Sequence, residues 1–438
     1  YYLLPPKFRN AFALLASLFF YSWGAPTFVV IVVLSALVDY YLAKSSINNP
    51  SKNKLIYLGV ALNIATLFLF KYFNFFQENV QLLFAKLSLE FGAVMQIALP
   101  LGISFLTFQK ISFLIDIKRG NATLPKSFVD YLLFVTLFPQ LIAGPILRYK
   151  TLAVQLADRH ANANFENRLS GFYRFVIGLA KKVLIADQIA PLANQAFDIS
   201  DNPAIYFIGI VAYTVQIYFD FSGYSDMAIG LGRMMDFQFP ENFNFPYKSH
   251  SVKSFWKRWH ITLGQWMQDY LYIPLGGNRV STTRLYANLW LVFLLSGLWH
   301  GASFNFLIWG AWHGFAITLE QRFRVLDKLP NALKIMITFS WVSLGWVWFR
   351  AENFMDAITI YKGLFQSLPS LETASKLQLS VLVFAIVFSF SPTAIIAFFY
   401  QNSDSIQRFK CLIISLLLVL CIGAIAASGE QPFIYFRF

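Results

Sequence analysis

Charge is scarce in this chain. Only 13% of its 438 residues are Asp, Glu, Lys or Arg, too few to solvate the surface of a water-soluble protein of that size. Cysteine is scarcer still. Cys411 and Cys421 share one apolar stretch near the C-terminus, which excludes a disulfide framework and a cysteine-based metal cluster. Both read as small buried hydrophobes, because a reactive thiolate needs wet, electropositive surroundings. The opening Tyr1-Tyr-Leu-Leu-Pro-Pro6 has no initiator Met and no secretory pattern, so a missing N-terminal segment is expected. No internal repeat, low-complexity tract or long linker divides the chain, and a single domain over 1–438 is the simplest reading.

What is abundant is apolar surface. Hydrophobic residues make up 57% and the mean hydropathy is +0.54, more than one soluble core can absorb, so the excess faces lipid. Aromatics reach 18%, led by 48 Phe, which suits a bilayer protein with Phe in its core and Trp and Tyr at its interfaces. The net charge of +13 does not point to nucleic acid, since the basic residues lie in short clusters between apolar segments, as positive-inside bias places them.

A helix of about 20 residues crosses roughly 30 Å of hydrocarbon. Candidate segments lie near 11–23, 27–43, 55–76, 96–117, 128–146, 204–233, 286–300, 304–320, 333–349, 377–400 and 408–427, on the order of ten or eleven membrane helices once tilted and re-entrant pieces are allowed. Lys44, Lys52 and Lys54 mark one loop and Lys118, Arg119 and Lys126 another, with Glu78 in the loop between, so the two basic loops are expected to be cytoplasmic. The stretches 165–200 and 248–284 are amphipathic, fit to lie in the interface or dip partly into the protein. Asn162 to Asn167 reads as an exposed loop.

Ionisable groups inside apolar segments are costly and mark candidate sites. The first cluster is Gln216-Ile-Tyr-Phe-Asp220-Phe-Ser-Gly223-Tyr224-Ser-Asp226. Its carboxylates, six apart, do not share a helical face unless Gly223 permits a kink. They are either the wall of a polar cavity or carboxylates paired in helix packing. The second runs from Ser254 to Arg279 and carries Lys257, Arg258, His260 and Asp269 among Trp and Tyr residues, a surface-helix pattern ending in a glycine turn. The third is Trp299-His300-Gly301, closing an apolar run from Tyr286. A His at that depth must face a cavity or a partner, and Gly297 and Gly301 allow another helix or a ligand to approach, which makes His300 the leading candidate for chemistry. His313, in Trp-His-Gly thirteen residues on, could share the site. Phe138-Pro139 to Gly144-Pro145 would break a spanning helix into a re-entrant hairpin or a bend.

On these blocks, with the closing Pro432-Phe-Ile-Tyr-Phe-Arg-Phe438, the chain resembles the membrane-bound O-acyltransferase (MBOAT) family, in the bacterial branch typified by alginate O-acetylation. The resemblance implies an all-α polytopic fold around a central tunnel, with interfacial and re-entrant helices, in the bacterial cytoplasmic (inner) membrane. It implies His300 as the catalytic residue and His260 as a second functional position. Asp220, Tyr224, Asp226, Trp299, Asp269, His313, Lys257 and Arg258 are then candidate substrate-binding or cavity-lining residues. Ser296 stands where relatives would carry Gly, a departure that would narrow the cavity. The implied reaction is O-acetyl transfer from a cytoplasmic thioester, acetyl-CoA, with neutral His300 as general base and with no metal and no bound cofactor. An esterase-like periplasmic or surface-anchored partner would complete transfer to a polysaccharide, an alginate-like exopolysaccharide or peptidoglycan. The competing classes are a transporter or flippase, which would commonly show internal pseudo-symmetry, and a non-catalytic scaffold of an export complex, which would tolerate loss of His300.

Overall fold

The computed structural model describes residues 1–49, 53–89, 92, 95–198, 202–324, 326–366, 374–391, 404–428 and 432–434. Lys52, residues 392–400 of the 377–400 segment and the closing residues 435–438 lie outside the described residues. Among the described residues there is no strand, and five helical runs are long and apolar enough to cross a membrane. Their outer faces carry large apolar side chains in the open, such as Val30, Leu34 and Val38 on the first of these runs and Leu412, Leu416 and Val419 on the last, the surface expected of a protein solvated by lipid. By its internal contacts the chain forms two compact units, Tyr1–Ala163 and Asn164–Phe438.

The first unit holds α1 (Pro6–Gly24), α2 (Val29–Asn48), α3 (Lys54–Leu67), α4 (Phe73–Lys86), α5 (Ile103–Lys118), α6 (Phe128–Thr136) and α7 (Tyr149–Ala157). A π-helical turn, Phe68–Tyr72, joins α3 to α4, so the run extends to 33 residues, about 50 Å at 1.5 Å per residue. Glu78 therefore lies within a helix, not in the loop expected from sequence, because Leu82, Leu83 and Phe84 carry the helical pattern past it. The 96–117 segment becomes helical only at Ile103. Pro100 and Gly102, the latter in the left-handed region at φ +69°, set the start of α5 and leave a helix too short to span the hydrocarbon unaided. That helix is buried on nearly every side, and its Lys110 pairs with Asp39 of α2 at 3.2 Å, while Asn63 of α3 donates to the same carboxylate at 2.9 Å.

The proline-rich segment after α6 interrupts the helix, as its sequence predicts. The 138–148 chain is non-helical and largely buried, which lipid would not tolerate unless protein groups satisfied the freed backbone. They do. Phe138 N–H donates to Ser17 Oγ at 3.1 Å, Tyr149 N–H to Ser112 Oγ at 3.2 Å and Lys150 N–H to Asp116 at 3.0 Å.

The second unit begins with α8 (Phe165–Ala180), which passes through a π-helical turn, Lys181–Ala186, into α9 (Asp187–Phe197) and packs along α10 (Tyr206–Met234). The Asn-rich stretch is only partly a loop, since Asn164 caps α8 by accepting from the Asn167 N–H. The helices touch through backbone at two levels: a Cβ on Gly178 would come within 2.5 Å of the Gly223 carbonyl, and one on Gly230 within 2.5 Å of the Gly171 carbonyl. Gly223 thus serves close approach and does not break α10. The unit continues with α11 (Val252–Trp256), α12 (Ile261–Met267), α13 (Thr282–His300), α14 (Phe304–Phe323), α15 (Asn331–Arg350), α16 (Phe354–Gly363), α17 (Lys376–Ser389) and α18 (Asp404–Ser428). Only one face of α18 packs against α8. Cys421 is buried, but Cys411 is exposed, contrary to the reading of both as buried, and its sulfur lies 2.8 Å from the Tyr173 hydroxyl.

Candidate functional site

Asp220 and Asp226 belong to a network of ions laid between α8–α9 and α10. Lys182 Nζ stands 2.7 Å from Asp220 and 2.7 Å from Asp187, while Asp226 takes Arg174 at 2.8 Å and Lys181 as a second partner. Arg174 also grips Glu241. The alternative left open by sequence resolves for Asp220 as a paired carboxylate; Asp226 is both paired and cavity-lining. Their different faces do not require a kink, because each meets its own cation. The sequence reading missed those cations. Arg174 and Lys181 are seven residues apart, one stripe of a helix, a signal obscured by treating 165–200 as interfacial. Near the C-terminus, Ile434 N–H donates to Asp220 at 2.8 Å, and the Phe433 ring lies 4.7 Å from Lys182 and 4.8 Å from the ring of half-buried Tyr224.

The three sequence-picked histidines outside this network fall into one buried aromatic cluster. His300 ends α13, which is pressed against α14 through glycine: a Cβ on Gly297 would lie 2.2 Å from the Phe306 carbonyl, and one on Gly301 would collide with the Phe306 ring. It is therefore a helix that approaches these glycines. Ring centroids run from His260 to Trp299 at 6.0 Å, from Trp299 to His300 at 4.9 Å, from His300 to Trp309 at 5.1 Å and from Trp309 to His313 at 5.1 Å. Phe349 of α15 closes on His300 at 5.1 Å. The histidines are 1%, 5% and 0% exposed respectively. Neither ring nitrogen of His313 has a hydrogen-bond partner among the described residues.

His260 is held through both its backbone and its ring. It is a non-glycine residue in the left-handed region, φ 43° and ψ 53°, at the N-cap of α12. Its Nδ1 lies 3.1 Å from Asn242 Oδ1, and burial pushes its pKa down to about 3 from an ordinary 6.5. The preceding α11 is fixed by Glu320 of α14, whose carboxylate accepts the Val252 and Lys253 N–H groups at 2.6 and 3.1 Å. Asp269 is half-buried on the π-helical turn Gln268–Tyr272 beyond α12; Lys257 is exposed and Arg258 half-buried.

Within the second unit a cavity of about 1150 Å³ opens against α8 and α10, at the upper end of ordinary small-molecule pockets. Arg174, Lys181, Asp226 and Glu241 give it a polar side, Phe384, Phe388 and Leu417 an apolar one, and Asn242 and Ile261 reach it beside His260. Of the block singled out from sequence between Gln216 and Asp226, Tyr218, Ser222, Ser225 and Asp226 line this cavity. Asp220, Tyr224, Trp299, His313, Asp269, Lys257 and Arg258 are elsewhere in the unit, and Ser296 is half-buried on α13 away from it.

Set against known proteins, residues 19–351 match the profile of MBOAT, the membrane-bound O-acyltransferase family. The chain is 42% identical to the probable alginate O-acetylase AlgI of Pseudomonas aeruginosa over 83% of this chain and 71% of that protein. It is 36% identical to the peptidoglycan O-acetyltransferase of Helicobacter pylori over 99% of this chain and 92% of the relative. A more distant relative, the teichoic acid D-alanyltransferase of Bacillus subtilis, is 29% identical over 58% of the chain.

Proposed function

The chain belongs to the membrane-bound O-acyltransferase family and is a multi-pass integral membrane acyltransferase, and on that premise we propose that it passes acetyl from cytoplasmic acetyl-CoA across the bacterial inner membrane for O-acetylation of a polysaccharide. The relatives' names support a glycan acceptor of the alginate or peptidoglycan kind. A soluble donor and an acceptor on the opposite side must reach one point, which the reading supplies as a tunnel leading to His300. An esterase-like partner outside the membrane completes delivery to the glycan.

The observation that carries the reading is that His260 and His300 both pack against the Trp299 ring, at 6.0 and 4.9 Å between centroids. His300 acts as general base. It takes the acceptor hydroxyl proton as oxygen attacks the thioester carbonyl; the C–O bond forms, the C–S bond breaks, and the proton passes to the departing thiolate to give free thiol. General-base action by His300 requires the neutral imidazole. Lys257 and Arg258 hold donor phosphates. The cavity beside Asn242, polar on one side and apolar on the other, suits an elongated substrate arm.

The test is transfer of radiolabelled acetyl from acetyl-CoA by the purified, detergent-solubilised protein with its partner, comparing wild type with His300→Ala. Removing a general base costs roughly 10²–10⁴-fold. Loss on that scale with thermal stability retained supports the reading, whereas full activity sends the chemistry elsewhere and restores the transporter and scaffold alternatives.

A further inference from the structure

We infer that Asn242 is a positioning residue for the transfer, fixing His260 as its Nδ1–H tautomer so that Nε2 carries the lone pair presented to the reacting groups. The inference rests on the proposed participation of His260 in acyl transfer.

Asn242 lies in Pro240-Glu-Asn-Phe-Asn-Phe-Pro246, outside any α-helix, and is 1% exposed. Its Oδ1 faces three groups: Thr262 N at 3.3 Å, Thr262 Oγ at 2.8 Å and His260 Nδ1 at 3.1 Å. A backbone N–H can only donate, so the atom it meets is the amide oxygen and not the nitrogen. The His260 Nδ1 that faces the same oxygen must then carry its proton, and the neutral ring has its lone pair on Nε2. The amide nitrogen is accounted for separately, donating to Ser225 Oγ on α10 at 3.0 Å.

The backbone of Asn242 adds a further hold, its carbonyl accepting the Ile261 N–H at 2.9 Å. Three consecutive residues, 260 to 262, are thus tied to one asparagine. A left-handed backbone is disfavoured at a residue with a Cβ and persists only where its surroundings dictate it. Anchoring the loop would require only the bonds to Ile261 and Thr262; the bond to Nδ1 acts on the ring. Asn242 also lines the large cavity, so it stands between that space and the imidazole.

Aromatic rings pack on His260 from two helices. The Phe221 ring of α10 packs on it edge-on at 4.8 Å and Trp299 of α13 faces it at 6.0 Å. The charged groups and histidines on those two helices are Asp220, held by Lys182, Asp226, held by Arg174 and Lys181, and Arg233 on α10, with Arg284 and His300 on α13. Glu241, gripped by Arg174, precedes Asn242, and Lys257 and Arg258 precede His260.

Two substitutions separate positioning from architecture, assayed as acetyl transfer from acetyl-CoA across a pH series. Asn242→Leu removes the acceptor, and transfer should fall at least about tenfold at every pH, within the roughly 10²–10⁴-fold that a proton-transfer group supplies. Asn242→Asp keeps an acceptor in place for His260 and Thr262, while Ser225 can turn its hydroxyl to donate. It should retain transfer at alkaline pH, with the acid limb of the profile moved up by about 1–3 units, because the carboxylate favours the imidazolium. Wild-type transfer in the Leu variant, or an Asp profile that superimposes on wild type, overturns the proposal, and so does transfer retained in His260→Ala, which removes the premise itself. If the variants fail to fold, ¹⁵N spectra of histidine-labelled wild type decide the matter: the His260 signal assigned by its loss in His260→Gln must be the Nδ1–H form, and an Nε2–H form sinks the idea.

Discussion

Lys182 Nζ lies 2.7 Å from Asp220 Oδ1 with both side chains almost wholly buried, an ion pair formed inside a run of apolar helix. Taking one member away leaves the other charged in a poorly solvated site, which typically costs about 3–5 kcal/mol. Lys182→Met should therefore lower the thermal unfolding midpoint in detergent sharply, and the double variant Lys182→Met/Asp220→Asn should recover the part of the loss due to Asp220, the remainder reflecting Asp187, the second partner of Lys182. A double variant no better than the single would mean that the pair is not the element being broken.

The glycine contacts between α8 and α10 make a second expectation. A methyl on Gly178 would meet the Gly223 carbonyl at 2.5 Å, whereas one on Gly264 of α12 has only the Trp256 carbonyl at 3.7 Å nearby. Gly178→Ala should destabilise by about 1–3 kcal/mol, the cost of overpacking, while Gly264→Ala should be neutral or stabilising by up to about 1 kcal/mol. Equal midpoints for the two variants would show that the helices can part without penalty.

His260 sets a pH dependence of stability. Its folded pKa is depressed by burial to about 3, against 6.5 unfolded, so between those values the unfolded chain binds the proton and the folded chain does not. Stability from this residue is complete above pH 6.5 and is lost as pH falls through the window, by at most roughly 1.4 kcal/mol per unit. Unfolding followed from pH 7.5 to 5.5 should show this slope in wild type and a shallower one in His260→Asn. Parallel curves would place the titrating group elsewhere.

The basic cluster before α12 makes a prediction about the donor. Lys257 is exposed and Arg258 half-buried, free to meet phosphate without disturbing the core. Neutralising both should raise the KM for acetyl-CoA roughly tenfold, with kcat little changed, as for lost ground-state binding. An unchanged KM returns these residues to ordinary loop charge.

Much of this was legible in sequence where one physical signal dominates. The segments near 204–233 and 333–349 emerge within a few residues as α10 and α15 because an unbroken apolar run has few alternatives to a membrane helix. The 96–117 segment misleads because its apolar content is real but Pro100 and Gly102 delay the helix. His300 stood out because an imidazole at membrane depth has a cost that demands a reason. The partners of Asp220 and Asp226 were hidden, since Arg174, Lys181 and Lys182 lie on a helix whose amphipathic pattern fits a membrane surface as well as a protein groove. Asn242 gave no signal at all: it lies in an irregular segment, and its importance comes from three groups on another element that only the folded chain brings to its amide.

The ion network between α8–α9 and α10 also constrains how the protein is made. Arg174 and Lys181 leave the ribosome before Asp226 and Glu241 have been synthesised, and Lys182 has only Asp187 of its own arm to meet, so the first arm of this hairpin reaches the bilayer with two of its cations unmatched. It has no reason to enter lipid alone. Nascent chains ending at Phe197 should leave that arm at the membrane surface, accessible to added protease, and chains extended past Met234 should protect it, the two arms having crossed the insertion barrier together.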